Sequence, residues 1–190
     1  IIRNVASFFI ALLIALAALT ALGPLSTDAY LPALPAVAES FGRNIHDAEL
    51  SVSLFLAGLA MGQLIGGPLS DHYGRRSGIQ VGLSVFLLAT GGIFFSASIE
   101  QLWGGRLLQG IGAGITAVNV PAIIKDVYNG RKGAQALSKL AIIMMTTPII
   151  SPLLGQQVTQ LFSWRAIFLM LVIYACALSL VIFFRLPETR

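Results

Sequence analysis

Two ionisable residues stand where charge is expensive. Asp28 closes Leu22-Gly23-Pro24-Leu25-Ser26-Thr27-Asp28, and Arg106 opens Arg106-Leu107-Leu108-Gln109-Gly110, each within a stretch that is otherwise apolar or small. A carboxylate in low dielectric is a proton-binding group, and a fixed cation nearby favours its ionised form, so such a pair can tune when a proton is held. Asp28 is the natural partner for Arg106, being the only acid on the embedded part of the first apolar run. A second set of charges, Asp71, Arg75 and Arg76, shares a short turn with Gly67 and Gly74 between two apolar runs. Asp126 ends a later run and offers a carboxylate to Arg75 or Arg76, an ion pair that can be made and broken.

The elements that position these groups follow from composition. The chain has 190 residues, 56% of them hydrophobic and 11% charged, with a mean hydropathy of +0.85. Soluble domains carry about a quarter charged residues, so this composition belongs in a bilayer. A helix needs about 20 apolar residues to cross the hydrocarbon core, which leaves room for roughly six spans. They are predicted over residues 5–34, 48–69, 79–98, 102–124, 137–161 and 166–184. The first run is too long for a signal-peptide core and is read as a retained span. Gly23 and Pro24 are expected to bend it, and Pro148 and Pro152 to kink the fifth.

Several function classes drop out. Cys176 is the single cysteine, so neither a disulfide framework nor a cysteine metal site can form within the chain, and no metal or other cofactor is called for. The net charge of +4 is scattered among loops without aromatic interleaving, which argues against nucleic acid. No nucleophile and base converge within the spans, so an enzyme is not expected. The polar or soft side chains at membrane depth that could line a substrate cavity are Tyr30, Gln63, Asn119, Met144 and Thr147.

Orientation comes from Lys and Arg in short loops. Arg3, Arg75, Arg76, Lys125, Arg131, Lys132, Lys139, Arg185 and Arg190 fall on one side, and Arg43 and Arg165 on the other. That asymmetry places both termini in the cytoplasm. Glycines four apart, at Gly58, Gly62 and Gly66 and again at Gly110 and Gly114, predict close helix packing, because in lipid backbone approach replaces the hydrophobic force.

The turn Gly67-Pro68-Leu69-Ser70-Asp71-His72-Tyr73-Gly74-Arg75-Arg76 resembles the signature loop between helices 2 and 3 of the major facilitator superfamily. Arg106 with Gln109-Gly110 resembles the superfamily's helix-4 signature. The stretch from Leu22 to Pro35 is similar to the helix-1 motif of proton-driven drug exporters, particularly the bicyclomycin-resistance and chloramphenicol-efflux branch. Thr147-Pro148-Ile149-Ile150-Ser151-Pro152-Leu153-Leu154-Gly155 resembles the helix-5 motif of antiporters, with Gln156 where a second glycine would stand. Pro121 is another departure, at a position where relatives more often carry Arg.

The resemblance implies an all-α membrane protein, a six-transmembrane-helix bundle over residues 1–190 that forms the N-terminal half of a major facilitator fold, with the C-terminal half outside this chain. It implies proton-coupled efflux of small lipophilic or drug-like compounds by alternating access, driven by the proton gradient. A uniporter or importer of a small metabolite such as a sugar or amino acid is the alternative. Asp28 would bind the proton and Arg106 would face the central cavity and assist coupling. Asp71, Arg75 and Asp126, with Gly67, Gly74 and Arg76, would latch the inner gate. The implied partners are the lipid bilayer, protons, a small-molecule substrate and the C-terminal half, and the implied location is the bacterial inner membrane.

Overall fold

The computed structural model describes the backbone of residues 2–128 and 130–185 and the side chains of 12–128 and 130–184. Those residues build helices: α1 (Ile2–Asp28), a 3-10 turn (Leu31–Ala33), α2 (Leu34–Ser40), α3 (Ile45–Tyr73), α4 (Arg75–Phe94), α5 (Ile99–Val127), α6 (Gly130–Leu161) and α7 (Trp164–Arg185). Six helical stretches among them are long and apolar enough to cross a bilayer, α1 running on through the 3-10 turn into α2 as the first.

Helix ends depart from the predicted spans in a consistent way. Hydropathy locates the hydrocarbon-crossing part of a helix, whereas the helix itself continues into water on polar residues. Thus α6 begins at Gly130 rather than near 137, on Arg131, Lys132 and Gln135. The one helix that stops short is α4, ending at Phe94 rather than 98. There the extended Ser98 caps α5, its hydroxyl accepting from the Gln101 N–H at 3.3 Å. α1 stays helical through Gly23 and Pro24. The hydroxyls of Ser26 and Thr27 donate to the carbonyls of Leu22 and Gly23 in that turn. The break comes at Ala29 and Tyr30, after which the chain resumes helical geometry as far as Ser40.

α5 is the axis of the bundle. Among the spans, 61% of its apolar window is buried, against 11% for α6. Its contact with α3 is backbone against backbone: a Cβ added at Gly58 or Gly62 would overlap the carbonyls of Leu107 or Ile111, and one at Gly110 or Gly114 those of Phe55 or Leu59. On its other side, a Cβ at Gly112 would fall 2.5 Å from the Phe86 nitrogen of α4. Gly58, Gly62, Gly110 and Gly114 are among the glycines whose four-residue spacing the sequence displays.

α3 and α4 are joined by the single residue Gly74, which is buried with φ at 95°. Side chains rarely adopt that conformation, so only glycine turns the chain there without strain. Further out, α7 is pinned to α1 by Tyr174, whose hydroxyl donates to Ala18 O at 2.8 Å. It is pinned to α4 by a reciprocal pair in which the Gln80 amide donates to Ser179 O and the Ser179 hydroxyl returns a bond to Gln80 Oε1.

Gly62→Leu should force α3 away from α5 and cost about 1–3 kcal/mol or more, read as a lower thermal unfolding midpoint of the detergent-solubilised protein. Gly91→Ala, where an added Cβ meets nothing within 4 Å, should leave that midpoint unchanged or slightly raised.

Candidate functional site

Arg106 has no exposed surface. In water its charge would be free of cost, and inside the bundle it must be replaced by other interactions. One is a backbone acceptor: Nη1 donates to Ser26 O in α1 at 3.2 Å. Nη1 also donates to Gln109 Oε1, one turn along α5, at 2.6 Å, and Gln109 Nε2 in turn donates to Thr90 Oγ1 in α4 at 2.9 Å. The rest of the solvation is aromatic. The guanidinium lies 4.3 Å from the ring centroid of Phe55 in α3 and 4.7 Å from that of Tyr30, with Phe168 of α7 at 6.0 Å. Cation–π attraction of this kind grows when water is excluded. Nε and Nη2 have no hydrogen-bond partner among the described residues.

Asp28 does not meet this arginine: among the described residues no ion pair joins them. The expected direct pairing is corrected by helix geometry. Ser26, whose carbonyl receives Arg106, and Asp28 are two residues apart, and at 100° per residue they present opposite sides of α1. Asp28 instead lines a cavity of about 540 Å³ walled by α1, α3, α5 and α6. Among the described residues it is the single charged one in a lining that is mostly aliphatic, from Leu56 and Leu59 to Val120, Leu137 and Leu140.

Of the side chains predicted to line a cavity, Gln63 and Met144 do so. Tyr30 is buried, its ring under Arg106 and its hydroxyl 2.9 Å from Ser51 Oγ. Asn119 is buried too, with Nδ2 donating to Ile115 O at 2.7 Å. Thr147 spends its hydroxyl proton on Ile143 O and lies outside the lining. These are corrections of one kind: a polar residue at membrane depth bonds its own helix or a neighbour before it faces a cavity, although the buried Asn119 Oδ1 has no hydrogen-bond partner among the described residues. Gly23, Pro24 and Pro148 line the same space, and Pro152 does not.

The second predicted group assembles at the end of the bundle where α3 turns into α4. Arg75 Nη1 lies 2.7 Å from Asp71 Oδ1, one turn back, and its Nε donates to Asp126 Oδ2 at the end of α5 at 3.3 Å. Its Nη1 also donates at 2.8 Å to Ser70 Oγ, whose own proton goes to Gly67 O. Arg76 reaches α7, donating to Phe183 O at 2.7 Å with its guanidinium 5.0 Å from that residue's ring. Ser70, Thr90 and the phenyl rings around Arg106 are participants that sequence reasoning missed. Ser70 lies inside the recognised turn, whereas Phe55 and Phe168 look like any other apolar core residue.

A family model described as Major Facilitator Superfamily matches residues 6–190. Among curated proteins the chain is 36% identical over 182 residues to the MFS-type transporter YdgK of Bacillus subtilis (strain 168), covering 95% of this chain and 45% of that protein. It is 34% identical to a chloramphenicol resistance protein of Pseudomonas aeruginosa, over 89% of this chain and 41% of the relative. It is 32% identical to the multidrug resistance protein MdtL of Shigella dysenteriae serotype 1 (strain Sd197), over 91% and 44%. The chain thus spans rather less than half the length of these relatives. Among solved structures, a D-xylose-proton symporter superposes with a TM-score of 0.82 at 15% identity, over 96% of this chain and 49% of its own. The peptide transporter POT in complex with sulfate gives a TM-score of 0.78 at 17% identity, over 90% and 37%. At such identities the likeness is one of fold: the six helices form half of that architecture.

Gln109→Leu should leave Arg106 with a single acceptor and strip Thr90 of its donor. The expected loss is about 1–3 kcal/mol, checked by thermal unfolding in detergent, with Gln109→Glu retaining more stability than Gln109→Leu because it restores an acceptor to the guanidinium.

Proposed function

This chain belongs to the Major Facilitator Superfamily, and on that premise we propose that it is the N-terminal half of a proton-coupled exporter of small lipophilic or drug-like compounds in the bacterial inner membrane. A second six-helix half would complete the protein, and both ends of this half would lie in the cytoplasm, as its loop arginines and lysines favour. The observation that carries the reading is the cavity: an aliphatic space of about 540 Å³ with one carboxylate, Asp28, in its wall. Such a space takes lipophilic cargo, and its acid takes a proton. The drug-resistance names of the relatives support the same substrate class.

In this mechanism the two halves rock about the cavity, opening it to one side at a time. Asp28 picks up a proton from outside and releases it inside, so that inward proton flow drives cargo outward. Arg106, held on the other side of α1, assists the coupling without contacting Asp28. The Asp71, Arg75 and Asp126 cluster is the latch of the cytoplasmic gate, with Gly67, Gly74 and Arg76 shaping its turn. Partly exposed pairs are worth only ~0–1 kcal/mol each. That suffices for a latch, because two states of nearly equal energy are redistributed about tenfold by 1.4 kcal/mol.

Two measurements on the full-length protein test these roles. In everted vesicles, Asp28→Asn should abolish dye accumulation driven by a pH gradient, and uphill transport by that variant would remove Asp28 from the coupling. Asp71→Asn should shift the balance of inward and outward conformations, read by site-specific labelling at the two ends of the bundle, by about two- to tenfold. Substrate affinity within a single locked conformation should stay the same.

A further inference from the structure

Asn119 is a polar residue that neither the cavity nor the latch uses, and it has no exposed surface. Its amide Nδ2 donates to Ile115 O at 2.7 Å, yet Oδ1 has no hydrogen-bond partner among the described residues. A buried acceptor left alone costs free energy in low dielectric, and such groups are rare enough in folded proteins that each needs a reason. The unpartnered nitrogens of Arg106 belong to a guanidinium set among aromatic rings that attract a cation. An amide oxygen has no such substitute.

Where α3, α4 and α5 meet, Asn119 and Ser70 both come up against Gly78. A Cβ added at Gly78 would fall 2.9 Å from Ser70 Cβ and 3.2 Å from Asn119 Nδ2, so the two side chains border one small space between the helices. Ser70 is 2% exposed, and its hydroxyl is occupied in this structure. Its oxygen takes an N–H of Arg75 at 2.8 Å, and its proton goes to Gly67 O at 3.0 Å. The same guanidinium binds Asp71 and Asp126. Ser70 therefore ties the surface ion pairs to the dry junction in which the Asn119 oxygen lacks a donor.

We infer that Asn119 is a positioning residue for the unlatched state: once Arg75 withdraws, the Ser70 hydroxyl turns from Gly67 O to Asn119 Oδ1, and the junction gains a hydrogen bond that the latched state lacks. A single torsion, about the Ser70 Cα–Cβ bond, redirects the hydroxyl. Gly67 lies inside α3, so its carbonyl keeps a place in the helical ladder after the hydroxyl leaves. The consequence is a counterweight. The ion pairs of Arg75 favour the latched arrangement, and the acceptor left unfilled there opposes them, which holds the two states near balance. The inference rests on the latch reading of Arg75 and adds to it the group that takes over when the latch opens.

The test is the balance of inward and outward conformations of the full-length protein in nanodiscs, without a gradient, read by site-specific labelling at the two ends of the bundle. Asn119→Leu nearly keeps the side-chain volume and removes the unfilled acceptor, so it should shift the balance toward the latched, cytoplasm-closed state by about three- to tenfold. In a Ser70→Ala background no hydroxyl is left to reach Asn119 in either state, and the same substitution should move the balance by less than about twofold. If Asn119→Leu does not fold, Asn119→Ala carries the same pair of measurements. A balance unchanged by the substitution at Asn119, a shift toward the unlatched state, or an equal shift with and without Ser70 would overturn the inference, as would a change in unfolding midpoint with no change in balance. The two readings fail separately. If Asp71→Asn shifts the balance and the Asn119 variants do not, only this inference is lost. If the Asn119 shift depends on Ser70 while Asp71→Asn has no effect, only the latch role of the ion pairs is lost.

Discussion

A guanidinium with no exposed surface, placed among six apolar helices, constrains almost everything around it. Arg106 binds a carbonyl of α1, stacks near rings from the α1–α2 connection, α3 and α7, and reaches α4 through Gln109 and Thr90. In lipid there is no water to take over any of these tasks, so moving one helix leaves part of a charge unsolvated. The glycine contacts between α3 and α5 make the same demand in another form, since they bring the backbones close enough for Phe55 to reach the arginine. Together they explain why α5 is the most enclosed span and α6 the least.

That enclosure divides the chemistry of the bundle. The arginine is held in a dry, aromatic compartment on one side of α1, and Asp28 opens into the cavity on the other. The rotation between Ser26 and Asp28 makes this separation, so the two charges face different surroundings. The cavity is then free to be shaped by backbone rather than by charge. Three prolines, one each from α1, α5 and α6, line it, and Thr20 and Thr27 give their hydroxyl protons to carbonyls of α1.

At the other end of the molecule the ion pairs behave as the local sequence leads one to expect. Asp71 and Arg75 are one helical turn apart across Gly74, and Asp126 comes within reach because α4 and α5 pack tightly through Gly82 and Gly112. Much of the fold was readable in the same local way: long apolar runs mark the spans, and glycines at four-residue intervals mark the close contacts. The candidate site was less so. Tyr30, Asn119 and Thr147 are polar residues at membrane depth like Gln63, and nothing in their local context says that the first three each bond to the protein and stand outside the cavity lining.

What the sequence by itself determined is what depends on neighbours along the chain: the number of spans, the turn at Gly74, the family, and the prolines that release carbonyls. What only the tertiary structure decided is which groups share a space. Asp28 and Arg106 are the two charges that a reader of the sequence would join, and they lie on opposite sides of α1. Pro24, Pro121 and Pro148 sit on three helices with nothing in the sequence to connect them, and they surround one cavity. The physical reason is that a helix sends residues two apart in opposite directions, while the neighbour each face meets is set by packing between segments far apart in the chain.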